Sequence, residues 1–133
     1  MSNEHGTLSA LAQKALAVLS EKQQHKEMKV KVKSLDCELT LRAMTAEEWD
    51  RIVSLPNMTM LKRVDKVVYL CCKELQQIAN ELGNAGKLID YEQVCDVMPP
   101  KDRVEISNRI LDLSGITGDS DLVFSDETNA LKN

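Results

Sequence analysis

TMLKRVDKVVYLCCKELQQIANELG, residues 59–83, is the stretch on which the fold turns. At about 100° per residue, Leu61, Val64, Val67, Val68, Cys71, Cys72, Leu75, Ile78, Ala79 and Leu82 share one arc of roughly 140°. An arc that wide suits a helix with core on more than one side. Thr59 has the chemistry of an N-cap and Gly83 that of the residue just past a helix end. The spacing therefore predicts one long central helix of roughly 37 Å, at about 1.5 Å per residue. Two side chains break its polar face. Leu70 falls among Arg63, Lys66, Glu74 and Gln77, and Tyr69 falls near Lys62, Lys73 and Gln76. Either another element of the chain covers this pair, or the pair anchors a partner.

Working outward towards the N-terminus, the period changes to two. Met28, Val30 and Val32 alternate with Lys29, Lys31 and Lys33, and Cys37, Leu39, Leu41 and Ala43 alternate with Glu38, Thr40 and Arg42. Ser34-Leu35-Asp36 lies between the two runs. Two alternating runs about a short polar break predict a β-hairpin that must lie against helices, because an isolated hairpin is marginal. The three lysines invite a phosphate-binding reading. The simpler one is a solvated face whose lysines also discourage edge-to-edge association.

Further upstream, Thr7 to about Gln24 reads as an amphipathic helix with Leu8, Leu11, Ala12, Ala15, Leu16 and Leu19 on one side. That face suits loose docking or pairing with another chain. After the hairpin, Thr45-Ala46-Glu47-Glu48 is a capping box that opens a short helix with Trp49, Ile52 and Val53 inward. Downstream of the long helix, Asp90 and Gln93 have box-like spacing around a short helix from Tyr91 to Val97. Pro99-Pro100 breaks the chain before a last helix running to about Ser114, carrying Val104, Ile106, Ile110, Leu111 and Leu113. Gly115 and Ile116 fit a Schellman ending. Beyond Thr117 the chain is polar and acidic, with one apolar island, Leu122-Val123-Phe124; such composition predicts a disordered tail.

These pieces predict an α+β, mainly α fold: a compact helical domain around one long central helix, with a single antiparallel β-hairpin packed on it. The expected divisions are an N-terminal helical segment over 1–25, a core domain over 26–116 and an acidic tail over 117–133. At 133 residues the chain has room for one core, and only 3% of it is aromatic, so aliphatic side chains must fill that core.

Chemistry is harder to find. The net charge of −4 disfavours nucleic acid as an obligate partner. The four cysteines, Cys37, Cys71, Cys72 and Cys95, have no zinc-ligand spacing and read as buried free thiols. His5 and His25 fall in a tail and a linker, away from any nucleophile. Glu47, Glu48, Asp50, Glu74 and Glu81 all fall on helical faces expected to meet solvent. No catalytic, cofactor-binding or metal-ligating set emerges, and the expectation is a protein that is not an enzyme and needs no cofactor. A helix-turn-helix reading rests on Lys101, Arg103, Ser107, Asn108 and Arg109 of the last helix, but Asp102, Glu105 and Asp112 dilute that face. No apolar run has membrane-spanning length, and MSNEHGT lacks the order of a signal peptide, so the expected location is a cytoplasm.

The order of elements is nonetheless familiar. VKVKSLDCELTLRAMTAEEW carries a strand that ends in an Arg-x-Met-Thr phrase and enters a helix. A long helix then ends in ELGNAG, and DYEQVCDVMPPKDRVEISNRILDLSGI closes on Leu113-Ser114-Gly115. Over roughly Met28 to Ile116 the chain resembles the tail assembly chaperones of long-tailed bacteriophages and prophages, in particular the XkdN-like group. Met98-Pro99-Pro100-Lys101 departs from the Pro-Gly-Glu-like phrase of that group. The resemblance implies a non-enzymatic protein of the host bacterial cytoplasm. Its implied role is to bind and shield the tape measure protein, with other tail proteins as further partners, while the tail tube assembles.

The side chains expected to meet such a partner are Leu8, Leu11, Leu16 and Leu19 of the first helix, the Tyr69 and Leu70 pair, and Phe124 of the tail. Self-association through the same surfaces stays open. The alternative is a small helical adaptor or nucleic-acid-binding regulatory protein of phage or prophage origin.

Overall fold

In the computed structural model, which describes residues 7–22 and 26–118, the hairpin forms as its alternation predicts. Strand β1 (Glu27–Val32) pairs antiparallel with β2 (Cys37–Arg42), from Glu27 opposite Arg42 to Val32 opposite Cys37. The loop turns through Asp36, whose φ of 48° is one that aspartate tolerates better than most residues, and the Asp36 amide donates to the Lys33 carbonyl at 3.1 Å. Leu39 and Leu41 are fully buried, and Met28 and Val30 are half-buried on the same side.

The expected single long helix is two helices. Helix α3 (Met60–Leu70) stops at Cys71, and α4 (Lys73–Asn84) restarts after Cys72. Neither glycine nor proline marks the break. Cys72 takes an extended conformation, φ −128° and ψ 105°, and forms an antiparallel bridge with Leu41 of β2. The Arg42 amide donates to the Cys71 carbonyl at 2.9 Å. Backbone carbonyls released at the end of α3 find side-chain donors: Gln76 Nε2 reaches both the Tyr69 and the Leu70 carbonyls at 2.9 Å. Tertiary pairing here overrides a helical pattern that runs through the joint unbroken.

The helix after the hairpin, the 3₁₀ helix and the last helix pack around this bent pair, and the first helix of the chain does not. The first helix of the chain, α1, spans Ala10–Lys22 and begins later than the Thr7 start expected, because Ser9 Oγ accepts the Ala12 amide at 3.0 Å. Helix α2 (Ala46–Val53) has both halves of its capping box, with Ile52 buried, Trp49 half-buried and Val53 turned outward. Thr59 caps α3 through the Lys62 amide, as expected. Gly83, by contrast, is not the residue past the end of α4. That role falls to Gly86, at φ 72°, with the Gly86 amide on the Gly83 carbonyl and the Lys87 amide on the Leu82 carbonyl.

Gly83 lies inside the last turn because Tyr91 is packed against it, and a Cβ there would sit 2.5 Å from the Tyr91 ring. Tyr91–Val97 forms a 3₁₀ helix opened by the Asp90–Gln93 box. Helix α5 (Pro100–Leu113) follows and ends in a full Schellman motif: Gly115 at φ 75°, its amide on Asp112, and the Ile116 amide on Leu111.

Helix α5 packs chiefly on α3, the 3₁₀ helix on α3 and α4, and β2 on α4 and α5. The shared core joins Leu39, Leu41, Val67, Val68, Cys71, Cys72, Leu75, Ala79, Val94, Cys95, Met98 and Ile110. A mainly α fold with one antiparallel hairpin is therefore what the chain adopts. Its centre is a jointed pair of helices, and that replaces the single rod.

Two consequences are measurable. Gly83→Ala places a methyl group where the Tyr91 ring stands; Tyr91 is 39% exposed and its ring can swing aside, so the cost should stay below the roughly 1–3 kcal/mol of an overpacked core. Chemical denaturation of Gly83→Ala, Tyr91→Ala and the double variant should show most of the glycine effect disappearing in the Tyr91→Ala background. The second consequence concerns Glu48, which accepts Arg42 Nη1 and Nη2 at 3.0 and 2.9 Å and the Thr45 amide at 2.9 Å. The hydrogen bonds from Arg42 outweigh burial and hold its carboxyl at about 2, against 4.5 in an unperturbed group. A depressed folded-state value stabilises the protein above the unfolded value and is lost on acidification. The stability gap between the wild type and Glu48→Gln should thus be full above about pH 4.5 and close as the pH falls towards about 2.

Candidate functional site

Helix α1 is where the sequence leaves apolar surface and the fold does not cover it. Over residues 7–21 only Ala12 is even half-buried. Leu8 is 44% exposed, Leu11 77%, Leu16 54% and Leu19 59%. Ala12, Ala15, Leu16 and Leu19 follow the i, i+3, i+4, i+7 spacing of one helical face with Leu11 beside them, running roughly 12 Å along the axis at about 1.5 Å per residue, and Leu8 lies just before the helix begins. The start of α1 is secured locally, by Ser9 and by Gln13 Nε2 donating to the Leu8 carbonyl at 3.1 Å. A helix of 13 residues that buries no face is marginal in water. Such a face gains most from a second apolar surface.

The other expected contact residues are placed differently. Tyr69 and Leu70 are half-buried and pack against the core. Leu70 lies on the hairpin side: it lines a surface hollow with Glu27, Thr40 and Arg42, and its carbonyl accepts Arg42 Nη2 at 3.3 Å. Burial, then the nearby Glu92 and Tyr91, raises the Tyr69 hydroxyl above its ordinary value; its neighbours are those of the 3₁₀ helix. The pair thus packs partly against the core at the helix joint and keeps some exposed surface there, and α1 does not join it. Phe124 lies outside the described residues.

Two carboxylates expected in solvent are instead built into the structure. Glu48 is one. Glu74 is the other: its oxygens accept the Thr40 amide at 2.7 Å and the Thr40 hydroxyl at 2.8 Å. Burial works to raise the Glu74 carboxyl, and these two hydrogen bonds carry it below its ordinary value. The last helix also differs from its wheel. Arg103 is 7% exposed and Ser107 is buried. Arg103 Nη1 donates to both Asp65 oxygens at 3.1 and 2.9 Å, its Nε donates to the Met98 carbonyl at 3.0 Å, and Asp96 lies 3.4 Å away. Burial raises the Asp65 carboxyl, offset in part by Arg103. Two of the five side chains offered for a recognition helix therefore face inward.

The thiols are free; Cys37, near the hairpin turn, is half-buried, whereas Cys71, Cys72 and Cys95 are buried as expected. Burial pushes them up to about 11, about 11 and about 12, so thiolate nucleophiles are suppressed at neutral pH. Among the described residues no cluster of His, Cys, Asp or Glu is placed to hold a metal ion, and no helix is long and apolar enough to cross a membrane. Comparison with protein-family models, with curated proteins and with solved structures finds no match.

The exposure of α1 has a direct test. Leu11→Asp together with Leu16→Asp should leave the unfolding transition of the core, followed through Trp49 fluorescence, within about 0.5 kcal/mol of the wild type, as for ordinary surface changes. Leu39→Ala, in the closed core, should cost about 2–5 kcal/mol by the same measurement.

Proposed function

We propose that the protein is a non-enzymatic tail assembly chaperone of phage or prophage origin, which covers apolar-striped helical segments of a tape measure protein in the host cytoplasm. The observation that carries this reading is the leucine face of α1, standing clear of a core that is complete without it. A tape measure protein is a very long helical chain whose apolar stripes would associate if left bare. Helix-against-helix packing is the recognition mode that suits both surfaces, with anchors spaced at i, i+3, i+4 and i+7. The net charge of −4 helps keep such a complex dispersed.

The resemblance over Met28 to Ile116 supports the same reading by its order of hairpin, helices and Leu-Ser-Gly ending. The regulatory, nucleic-acid-binding alternative draws less support, since Arg103 and Ser107 are committed to the interior.

Co-expression with a tape measure protein tests the reading. The wild type should hold the long chain in solution and co-purify with it. The Leu11→Asp/Leu16→Asp variant should fold normally and lose both effects. Retention of the complex by that variant would exclude α1 as the contact, and failure of the wild type to bind would exclude the function.

A further inference from the structure

The hairpin has two outer edges, and the fold treats them differently. Ala43 donates to the Lys26 carbonyl at 2.8 Å, so Met28–Leu41, Val30–Leu39 and Val32–Cys37 are the pairs that exchange ladder hydrogen bonds. Thr40 and Arg42 then direct their backbone groups away from β1, and both are used: Thr40 by Glu74 and Arg42 by Cys71. On the opposite edge Glu27, Lys29 and Lys31 direct their amides and carbonyls away from β2. Among the described residues nothing pairs with them. A single β1–β2 sheet thus has one sealed edge and one open edge.

The open edge is also chemically marked. Lys29, Lys31 and Lys33 are exposed, with Lys26 exposed just before the strand and one acid, exposed Glu27, at the head of the same row, in a chain of net charge −4. Among the described residues none of these lysines is in an ion pair; Lys31 faces Glu38 across the ladder and Lys29 faces Thr40. Successive lysines on the same face are about 6.6 Å apart, at roughly 3.3 Å per residue, which is the side-chain repeat of any strand laid alongside. Behind them Met28 and Val30 are only half-buried, so the apolar row on the other face ends unfinished at this edge.

We propose that β1 is a docking edge for an extended acidic segment of a partner protein, added as a third strand by β-augmentation. The partner's backbone would pair with the outward groups of Lys29 and Lys31. Its alternate residues would be Asp or Glu against the lysine row and apolar against Met28 and Val30. The lysines serve selectivity as well: two copies of this edge would bring like charges together, so an acidic strand is accepted and a second copy is refused. Nucleic acid fits less well, because its phosphate backbone carries no donor for the outward carbonyls. The inference is independent of α1 and of the tape measure reading.

The test uses the full-length, isotope-labelled protein and the peptide acetyl-Asp-Val-Asp-Val-Asp-Val-Asp-amide. Added peptide should slow hydrogen exchange at the Lys29 and Lys31 amides and shift resonances along β1. Lys29→Glu/Lys31→Glu should weaken binding by about tenfold or more and should bind the corresponding Lys-Val peptide instead. Lys31→Pro removes one outward amide while leaving the β1–β2 ladder intact, and should weaken binding with the Trp49 unfolding transition retained.

Four results would overturn the proposal. One is protection of the Lys29 and Lys31 amides before any peptide is added, which would give the edge to the chain's own acidic residues. Another is equal affinity for an all-aspartate peptide, meaning charge attraction alone. The others are tighter binding of a DNA duplex to the same lysines, and no change along β1 at saturating peptide.

Discussion

The bridge between Leu41 and Cys72 is the contact on which the other elements depend. It fixes the angle between α3 and α4, and it closes the outer edge of β2, since the same joint supplies the Cys71 carbonyl to Arg42 and brings Glu74 to Thr40. A two-stranded hairpin has too little internal pairing to stand alone. Here its inner face lies on the helices and one of its edges is joined to them by backbone hydrogen bonds. Breaking a helix costs the hydrogen bonds at the break. Gln76 and Arg42 offset that cost by donating to the carbonyls left at Tyr69 and Leu70. The joint is therefore a polar-satisfied site inside an apolar core, with Cys71 and Cys72 filling the space as small hydrophobes.

Charge follows the same logic at two further positions. Arg42 and Glu48 tie the end of β2 to the first turn of α2, and Glu48 also completes the capping box with Thr45. Arg103 ties α5 to α3 through Asp65 and to the end of the 3₁₀ helix through the Met98 carbonyl. Partly buried ion pairs add little net stability over an apolar replacement, but removing one partner leaves an uncompensated charge. Their effect is to fix which helix face meets which. That matters in a core with so few aromatic side chains to impose shape.

Most of the elements are legible in the sequence, and the exceptions have a common cause. The hairpin, the Thr45 and Asp90 boxes, the Thr59 cap and the Gly115–Ile116 ending are all set by neighbours within a few residues, so local pattern suffices. The break at Cys71–Cys72 is set by Leu41, some thirty positions away, and no local residue announces it. At Gly83 the requirement is space for Tyr91, whereas Gly86 meets the conformational one, and local sequence does not tell the two apart. Glu74 and Arg103 fall on polar arcs of their helical wheels and are held inward by partners on other elements. The extended pairing of residue 72 places Glu74 beside β2. The leucine face of α1, in contrast, was legible because nothing in the tertiary structure modifies it.

That contrast separates two kinds of apolar surface in this chain. Tyr69 and Leu70 look unusual on a straight helix; at a bend they become the residues that flank the joint, partly buried against the core. The leucines of α1 have no such resolution within the described residues, since the core from Leu39 to Leu111 is closed without them. Surface that the fold has already used stabilises the domain and is conformationally fixed. Surface that it has not used contributes nothing to the domain until something covers it, and so its apolar free energy remains available for association. The buried joint and the exposed leucines of the first helix are carried by different elements, so substitutions on α1 and substitutions at the joint act on separable properties.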